Sequence, residues 1–298
     1  MNGIIIVDKP KDFTSFDVIA KLRKKLGQRK IGHMGTLDPM ATGVLPILLG
    51  DTAKFQIFAP DNNKSYRAKM KFGITTDTLD ITGQILSSEK SEITRQSLEK
   101  VLKSFLGEIY QTPPMFSAIK KGGVKLCDLA RKGVEIDREK RKVFINGIKT
   151  ESFDFENQEA EISVDCSKGT YIRTLCDDIG RELGPGAAVT ELRRTSSNGF
   201  DESDSVPLEK IIEMDLEDIL QKLILPTERL FETFPAAQIT SAQATRFKNG
   251  GALALERVKF SGTSPNDDVY KIYCSDEFIG LGKIDEKNDE LKVLKCLK

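Results

Sequence analysis

The order of apolar and polar positions predicts most of the elements. "GIIIVDKP" (3–10) is an apolar run closed by a proline, which reads as a strand ending in a turn at Pro10. In "TSFDVIAKLRKKL" (14–26), Val18, Leu22 and Leu26 fall on one face at helical spacing, and Thr14 with Asp17 forms a capping box. A glycine-rich loop follows, then the apolar "GVLPILLG" (43–50). "YRAKMKFG" (66–73) alternates, with Tyr66, Ala68, Met70 and Phe72 on one side and Arg67, Lys69 and Lys71 on the other. That pattern predicts a strand with one core or pocket face and one basic, exposed row. "TRQSLEKVLKSFLG" (94–107) reads as a helix capped by Thr94 and closed by Gly107. "QTPPMFSAIKKGGVKL" (111–126) reads as a Pro/Gly-punctuated loop. "AEISVDCSKGTYIRTLCDDIGRELG" (160–184) reads as strand, turn and helix, with Arg173 near the strand-turn end, and "LEKIIEMDLEDILQKLI" (208–224) as one acidic amphipathic helix.

Pro226 and Pro235 flank a change of character. Beyond them "DVYKIY", "FIGLGKI" and "LKVLKC" are short strands between polar turns, the pattern of a small β-barrel or sheet. The chain is therefore expected to divide at 1–233 and 234–298. Strands and helices do not alternate regularly in the first part, so the fold class is α+β with a mixed or antiparallel sheet rather than a doubly wound one.

Composition narrows the chemistry. The 298 residues include one histidine, His33, and five scattered cysteines without a CxxC pair. This argues against a disulfide framework, a zinc site or a multi-histidine metal centre. No GxSxG elbow accompanies His33. No apolar run approaches a membrane span, and the start lacks the features of a signal peptide, so a reducing cytoplasm is expected. Net charge is zero but unevenly spread. Residues 1–60 carry nine Lys/Arg against five Asp/Glu (+4), residues 117–149 ten against four (+6), and residues 201–232 three against ten (−7). A basic face for nucleic acid and an acidic face elsewhere fit this spread, as does ordinary solvated surface.

The candidate chemistry centres on "GHMGTLDPMATGVLP" (32–46). Taken alone, Asp38 before Pro39 is an Asx-type turn. Gly32 and Gly35 beside it permit positive φ and close approach of a ligand, so Asp38 is also a candidate nucleophile at the mouth of a rigid pocket. An ionised carboxylate in such a place needs a cation, and Arg173 is the candidate. Tyr66 is a candidate for stacking on a planar base, and His33 for contacting phosphate or occupying the space left by an extruded base. Lys9, Lys54, Lys120 and Lys168 each lie in or beside a turn, where surface lysines reach phosphates.

Taken together, "GIIIVDKP", "TSFDV", "GHMGTLDPMATGVLP", "LGDTAKF", "KSYRAKMKFG", "TDTLDITG", "TPPMFSAIK", "ARKGVEIDRE", "SKGTYIRTLCDDIG" and "ELRR" resemble, in order, the TruB family of bacterial tRNA pseudouridine-55 synthases. "FKNGG" and "FIGLGKID" resemble that family's C-terminal domain. The resemblance implies a pseudouridine-synthase catalytic domain at 1–233 and a PUA-like RNA-binding domain at 234–298. It implies an isomerase that turns uridine 55 in the tRNA T-loop and rejoins it through C5, with no metal or redox cofactor. It assigns Asp38 as nucleophile, Tyr66 as the stacking residue and proton acceptor, and Arg173 as the partner of Asp38. Tyr171 and Leu192 then line the pocket, and His33 contacts RNA where the base leaves the stack. Attack on C1′, attack on C6 and removal of the C2′ proton through a glycal all fit Asp38. The expected partner is the tRNA T-arm, bound by a monomer with no obligatory protein partner. A uridine isomerase acting on another RNA and a non-catalytic RNA-binding or folding protein are the alternatives. Asp12, Phe16, Cys127 and Ala188 depart from the family's usual residues.

Overall fold

A computed structural model describes residues 1–60, 63–262 and 269–297; Asp61 and Asn62 of "DNNKS", Asp268 of "DVYKIY" and the terminal Lys298 lie outside the described residues. Among the described residues the large sheet has ten strands. Its main path runs Val206–Pro207, Gly3–Lys9, Thr42–Leu49, Ala187–Ser197, Lys64–Phe72, Glu159–Cys166, Arg141–Asp154 and Gly107–Gln111. Most neighbours are antiparallel, but Thr42–Leu49 runs parallel to Ala187–Ser197, and Gly3–Lys9 to Val206–Pro207. The class is α+β with a mixed sheet and a β-rich C-terminal unit.

The alternation at 66–72 is realised in the strand Lys64–Phe72, whose Tyr66, Ala68, Met70 and Phe72 are buried. With Ile5, Val7, Leu45, Ile47, Ile162 and Val164 they form one face of the sheet. The helices Ser15–Leu26, Arg95–Ser104 and Ile172–Leu183 pack on it through Val18, Leu22, Leu98, Leu102, Leu175 and Ile179. The helix expected at 14–26 starts at Ser15, and Thr14 and Asp17 make both hydrogen bonds of the capping box.

The row expected to be basic and exposed is also paired. Lys69 and Lys71 meet Glu159, and Arg67 meets Glu202. The helix expected over 208–224 is two, Leu208–Glu213 and Leu216–Lys222, because the backbone is extended at Met214 and Asp215. Aspartate competes with a helix interior for hydrogen bonds, and here it takes the N-cap position; the break lets both Ile211 and Ile219 reach the core. The loop expected at 111–126 contains a small hairpin, Lys120–Lys121 with Val124–Lys125, turned by Gly122 and Gly123 at φ 60° and 83°. A short helix, Leu126–Ala130, follows it.

Beyond 234, six strands among the described residues form a second sheet in the order Leu253–Ala254, Glu290–Cys296, Glu277–Asp285, Val269–Cys274, Ala236–Ile239, Lys259–Ser261. The helix Ser241–Lys248 is capped by Thr240 and buries Phe247 in this unit's own core. A further apolar cluster joins the two parts. Ile4, Ile6, Val44 and Leu48, on the other face of the large sheet, meet Phe55, Phe231, Phe278 and Leu281. The rings of Phe55 and Phe278 lie 6.0 Å apart. Strand Gly3–Lys9 is thus apolar on both sides because both faces are covered. Among the described residues no helix is long and apolar enough to cross a membrane.

Candidate active site

Asp38 lies in the loop between the strands Ile31–His33 and Thr42–Leu49, and the loop is tied down from several sides. Ser15 Oγ accepts from the Leu37 amide at 2.9 Å and lies 3.2 Å from the Leu37 carbonyl. The Asp12 amide donates to the Pro39 carbonyl at 2.8 Å, and the Ala41 amide to that of Asp38 at 3.1 Å. Two glycines are required by shape. Gly35 has φ +75° and backs onto Arg194; Gly43 has φ +102°, and a Cβ there would stand 2.2 Å from the Arg194 carbonyl oxygen. Gly32, expected to supply positive φ, lies instead in extended backbone with only an ordinary contact to Ala53, because it pairs regularly with Leu48. Asp12 adopts φ 65°, a conformation that glycine takes freely and aspartate tolerates, which accounts for a glycine being usual there.

Arg173 belongs not to a strand end but to the first turn of the helix Ile172–Leu183. A cation is unfavourable at that end of a helix, so its partners must offset both burial and the dipole. Its Nη2 reaches Asp38 Oδ2 at 2.8 Å and donates to the Phe116 carbonyl at 2.8 Å. Its Nη1 donates to the Thr78 carbonyl at 2.7 Å and meets Asp80 Oδ2 at 3.4 Å. The carboxylate of Asp80 is fixed in turn by Thr78 Oγ1 and by the amide and hydroxyl of Thr82. Asp80 therefore completes the site, and sequence reasoning missed it; its place among threonines in "TDTLDITG" was the available signal. Gln111, also missed, exchanges hydrogen bonds with the Tyr171 backbone at 3.0 and 3.3 Å and sets the start of the helix.

Arg173 is almost wholly buried, while 36% of the Asp38 side chain remains accessible. Burial raises the Asp38 carboxyl above its ordinary pKa, and the charge of Asp80 acts in the same direction. Arg173, and more weakly Lys9, pull it back down. The carboxylate is held by charge rather than by solvent, with one edge open.

That edge faces a cavity of about 330 Å³ lined by Asp38, Tyr66, Tyr171, Arg173, Leu192 and Arg194, among others. Five residues expected from the sequence thus meet in one place. The other expected residues lie elsewhere. Lys9 is not a surface lysine: it is fully buried, and its Nζ donates to the carbonyls of Pro10, Phe13 and Pro39 at 2.8, 2.5 and 3.2 Å. Desolvation lowers its pKa to about 8. It holds the turn on which Pro39 sits and has no room for a phosphate. Lys54 is half exposed and paired with Asp51 at 2.7 Å. Lys120 is exposed in the hairpin, and Lys168 is exposed in the turn beside the cavity rim. His33 ends its strand outside the cavity lining, with Nδ1 buried and unbonded; burial and the nearby Arg194 lower its pKa, favouring the neutral ring. Phe16 is exposed under Arg23, and Ala188 is buried in its strand. Cys127 is the second residue of the helix after the hairpin, and its amide donates to the carbonyl of Ser117, a residue of the cavity wall, at 3.1 Å.

Residues 23–172 match the N-terminal domain of the TruB family pseudouridylate synthases, and residues 173–232 match the C-terminal domain of tRNA pseudouridylate synthase B. The chain belongs to the TruB family. A TruB relative, tRNA pseudouridine synthase B of Clostridium tetani, is 42% identical over the full length of both chains. The protein of that name from Chromobacterium violaceum is 39% identical over 95% of this chain and 90% of its own. Among solved structures, an H/ACA RNP bound to a substrate RNA containing 2'-deoxyuridine matches with a TM-score of 0.74 and 25% identity, over 99% of this chain and 85% of that one. A Cbf5–Nop10–Gar1 complex matches with a TM-score of 0.73 and 26% identity, over 99% and 84%. The likeness extends across both the large sheet and the C-terminal unit.

Proposed function

We propose that this TruB protein isomerises uridine 55 in the T-loop of tRNA to pseudouridine, with Asp38 as the reacting carboxylate. The observation that carries the reading is the 2.8 Å pair of Asp38 and Arg173 at the edge of a cavity that also holds Tyr66 and Leu192. In the reaction the N1–C1′ bond of the nucleotide breaks, the uracil turns, C5 joins C1′, the proton on C5 is lost and N1 takes one up from water. No net redox change occurs. The base must leave its stack, which costs a few kcal/mol, and stacking on the Tyr66 face offsets roughly 1–3 kcal/mol. Asp38 meets the nucleotide at C1′, at C6 or at the C2′ proton, and Arg173 keeps it ionised for any of these. The walls of the cavity keep the detached base from escaping while it rotates. The C5 proton passes to the Tyr66 oxygen and from there to water.

The partner in this reading is the T-arm of tRNA, bound in the cytoplasm by a monomer without a protein partner. The exposed lysines Lys54, Lys120 and Lys168 contact its phosphates, and His33 sits where the stack opens. Residues 234–298 form a PUA-like domain that adds RNA contact. Identity of about 40% to proteins named tRNA pseudouridine synthase B, against about 25% to the H/ACA structures, favours tRNA over a guide-directed substrate. The test is incubation with unmodified tRNA followed by mapping of every pseudouridine. Modification at position 55 alone is expected; modification elsewhere, or none, contradicts the proposal.

A further inference from the structure

Arg194 is not needed to explain the Asp38 pair, yet it is among the largest fully buried side chains of the molecule. Among the described residues no carboxylate forms an ion pair with it. Its Nε donates to the Val44 carbonyl at 2.8 Å and its Nη2 to the Gly35 carbonyl at 3.0 Å. These two carbonyls flank the loop that carries Asp38, so one guanidinium staples both of its ends. Its own backbone pairs with Gly43 on one side and with Tyr66 on the other. The third nitrogen, Nη1, is buried, has no hydrogen-bond partner of good geometry, and belongs to a side chain that lines the cavity. A Cβ on Gly35 would stand 3.1 Å from it.

A buried cation with an unused donor is expensive unless something it faces develops negative charge. Tyr66 is its cross-strand partner, and both side chains line the cavity. We propose that Arg194 is the positioning residue for Tyr66: it fixes the Asp38 loop against the Tyr66 strand and directs its spare N–H at the phenol oxygen. The inference rests on the part given to Asp38 and Tyr66 under the proposed function. Arg194 then stabilises the phenolate that takes the C5 proton; the phenolate becomes phenol, the C5–H electron pair returns to the uracil ring, and the proton leaves to water. Burial raises the Tyr66 phenol above its ordinary pKa, and Arg194 is the group that opposes this most. The other charged or titratable neighbours of the phenol, Cys166 on the adjacent strand and Asp38 across the cavity, push the same way as burial.

The experiment is a double-mutant cycle read by single-turnover pseudouridine formation with enzyme in excess. Arg194→Lys slows the chemical step about 10–100-fold, the range of a weakened general base, with tRNA affinity within about twofold. In a Tyr66→Phe background the same change costs less than about twofold, because the oxygen it served is gone. Equal losses in both backgrounds, or a loss confined to tRNA affinity, overturn the proposal. Carbon-13 NMR of labelled tyrosine decides the point without turnover. The Tyr66 resonance, identified by its loss in Tyr66→Phe, titrates at higher pH in Arg194→Lys than in the parent. An unmoved titration overturns the assignment, whereas a parent protein that makes no pseudouridine overturns the proposed function and leaves this readout standing.

Discussion

Arg193 and Arg194 are adjacent in one strand and live in opposite worlds. Arg193 points to the charged side of the sheet, is about one-third exposed, and meets both Asp8 and Glu202. Those partners, Asp8 foremost, hold its pKa above the usual range. Arg194 points to the cavity side, is fully buried, and meets backbone carbonyls; burial lowers its pKa. The same division runs across the sheet. Arg67, Lys69 and Arg193 border a cleft of about 470 Å³ behind Leu192, yet each already has a carboxylate. In front of Leu192, Arg173 shares its guanidinium between two carboxylates and two carbonyls. Neutralised cations in solvent stabilise little; a buried cation whose neighbours do not fully neutralise it is available for chemistry.

The contrast can be broken in order of expected size. Arg173→Lys keeps the charge but loses the fork that reaches Asp38, Asp80 and two carbonyls together, so single-turnover rates should fall about 10²–10³-fold. A loss below tenfold would place Arg173 with the surface cations. Asp178, on the same helix, has no side-chain hydrogen bond among the described residues to offset its burial. Its pKa is pushed up to about 6, by desolvation and then by the charge of Asp177. The folded protein therefore holds the proton more tightly than the unfolded chain between pH 3.8 and 6, and stability falls as pH rises through that window. Asp178→Asn should raise stability by about 1–2 kcal/mol at pH 7 and by little at pH 4, read by urea denaturation at both. A gain of the same size at both pH values contradicts this. Arg67→Ala, on the paired side, should change stability by no more than about 0.5 kcal/mol in the same assay. A loss of 2 kcal/mol would show that the charged side is more than a solvated face.

How much of this was legible follows the same line. The alternation around Tyr66 and the capping box at Thr14 and Asp17 are local, and local rules read them correctly. The glycine logic held at Gly35 and Gly43, where Arg194 crowds the backbone, and failed at Gly32, which is regular strand. Both the residue context and the resemblance mark Arg173 as the cation for Asp38, but neither marks its place in a helix turn, since "GTYIR" fits a strand end equally well. Asp80 stayed hidden because its contact with Arg173 spans 93 residues. Lys9 was misjudged because three carbonyls from two loops bury it, and no local pattern encodes that. The unbroken apolar run of Ile4, Ile5, Ile6 and Val7 did carry a signal that both faces of that strand are covered, one of them by a cluster that includes residues beyond 234.

The central claim is that the Asp38 carboxylate reacts and does not merely anchor. Pseudouridine formation and tRNA binding by Asp38→Asn, measured side by side with the parent protein, test it most directly. The account predicts turnover below detection with tRNA affinity within about threefold, a change of under 1 kcal/mol. Retained turnover, or loss of binding in step with loss of turnover, would contradict it.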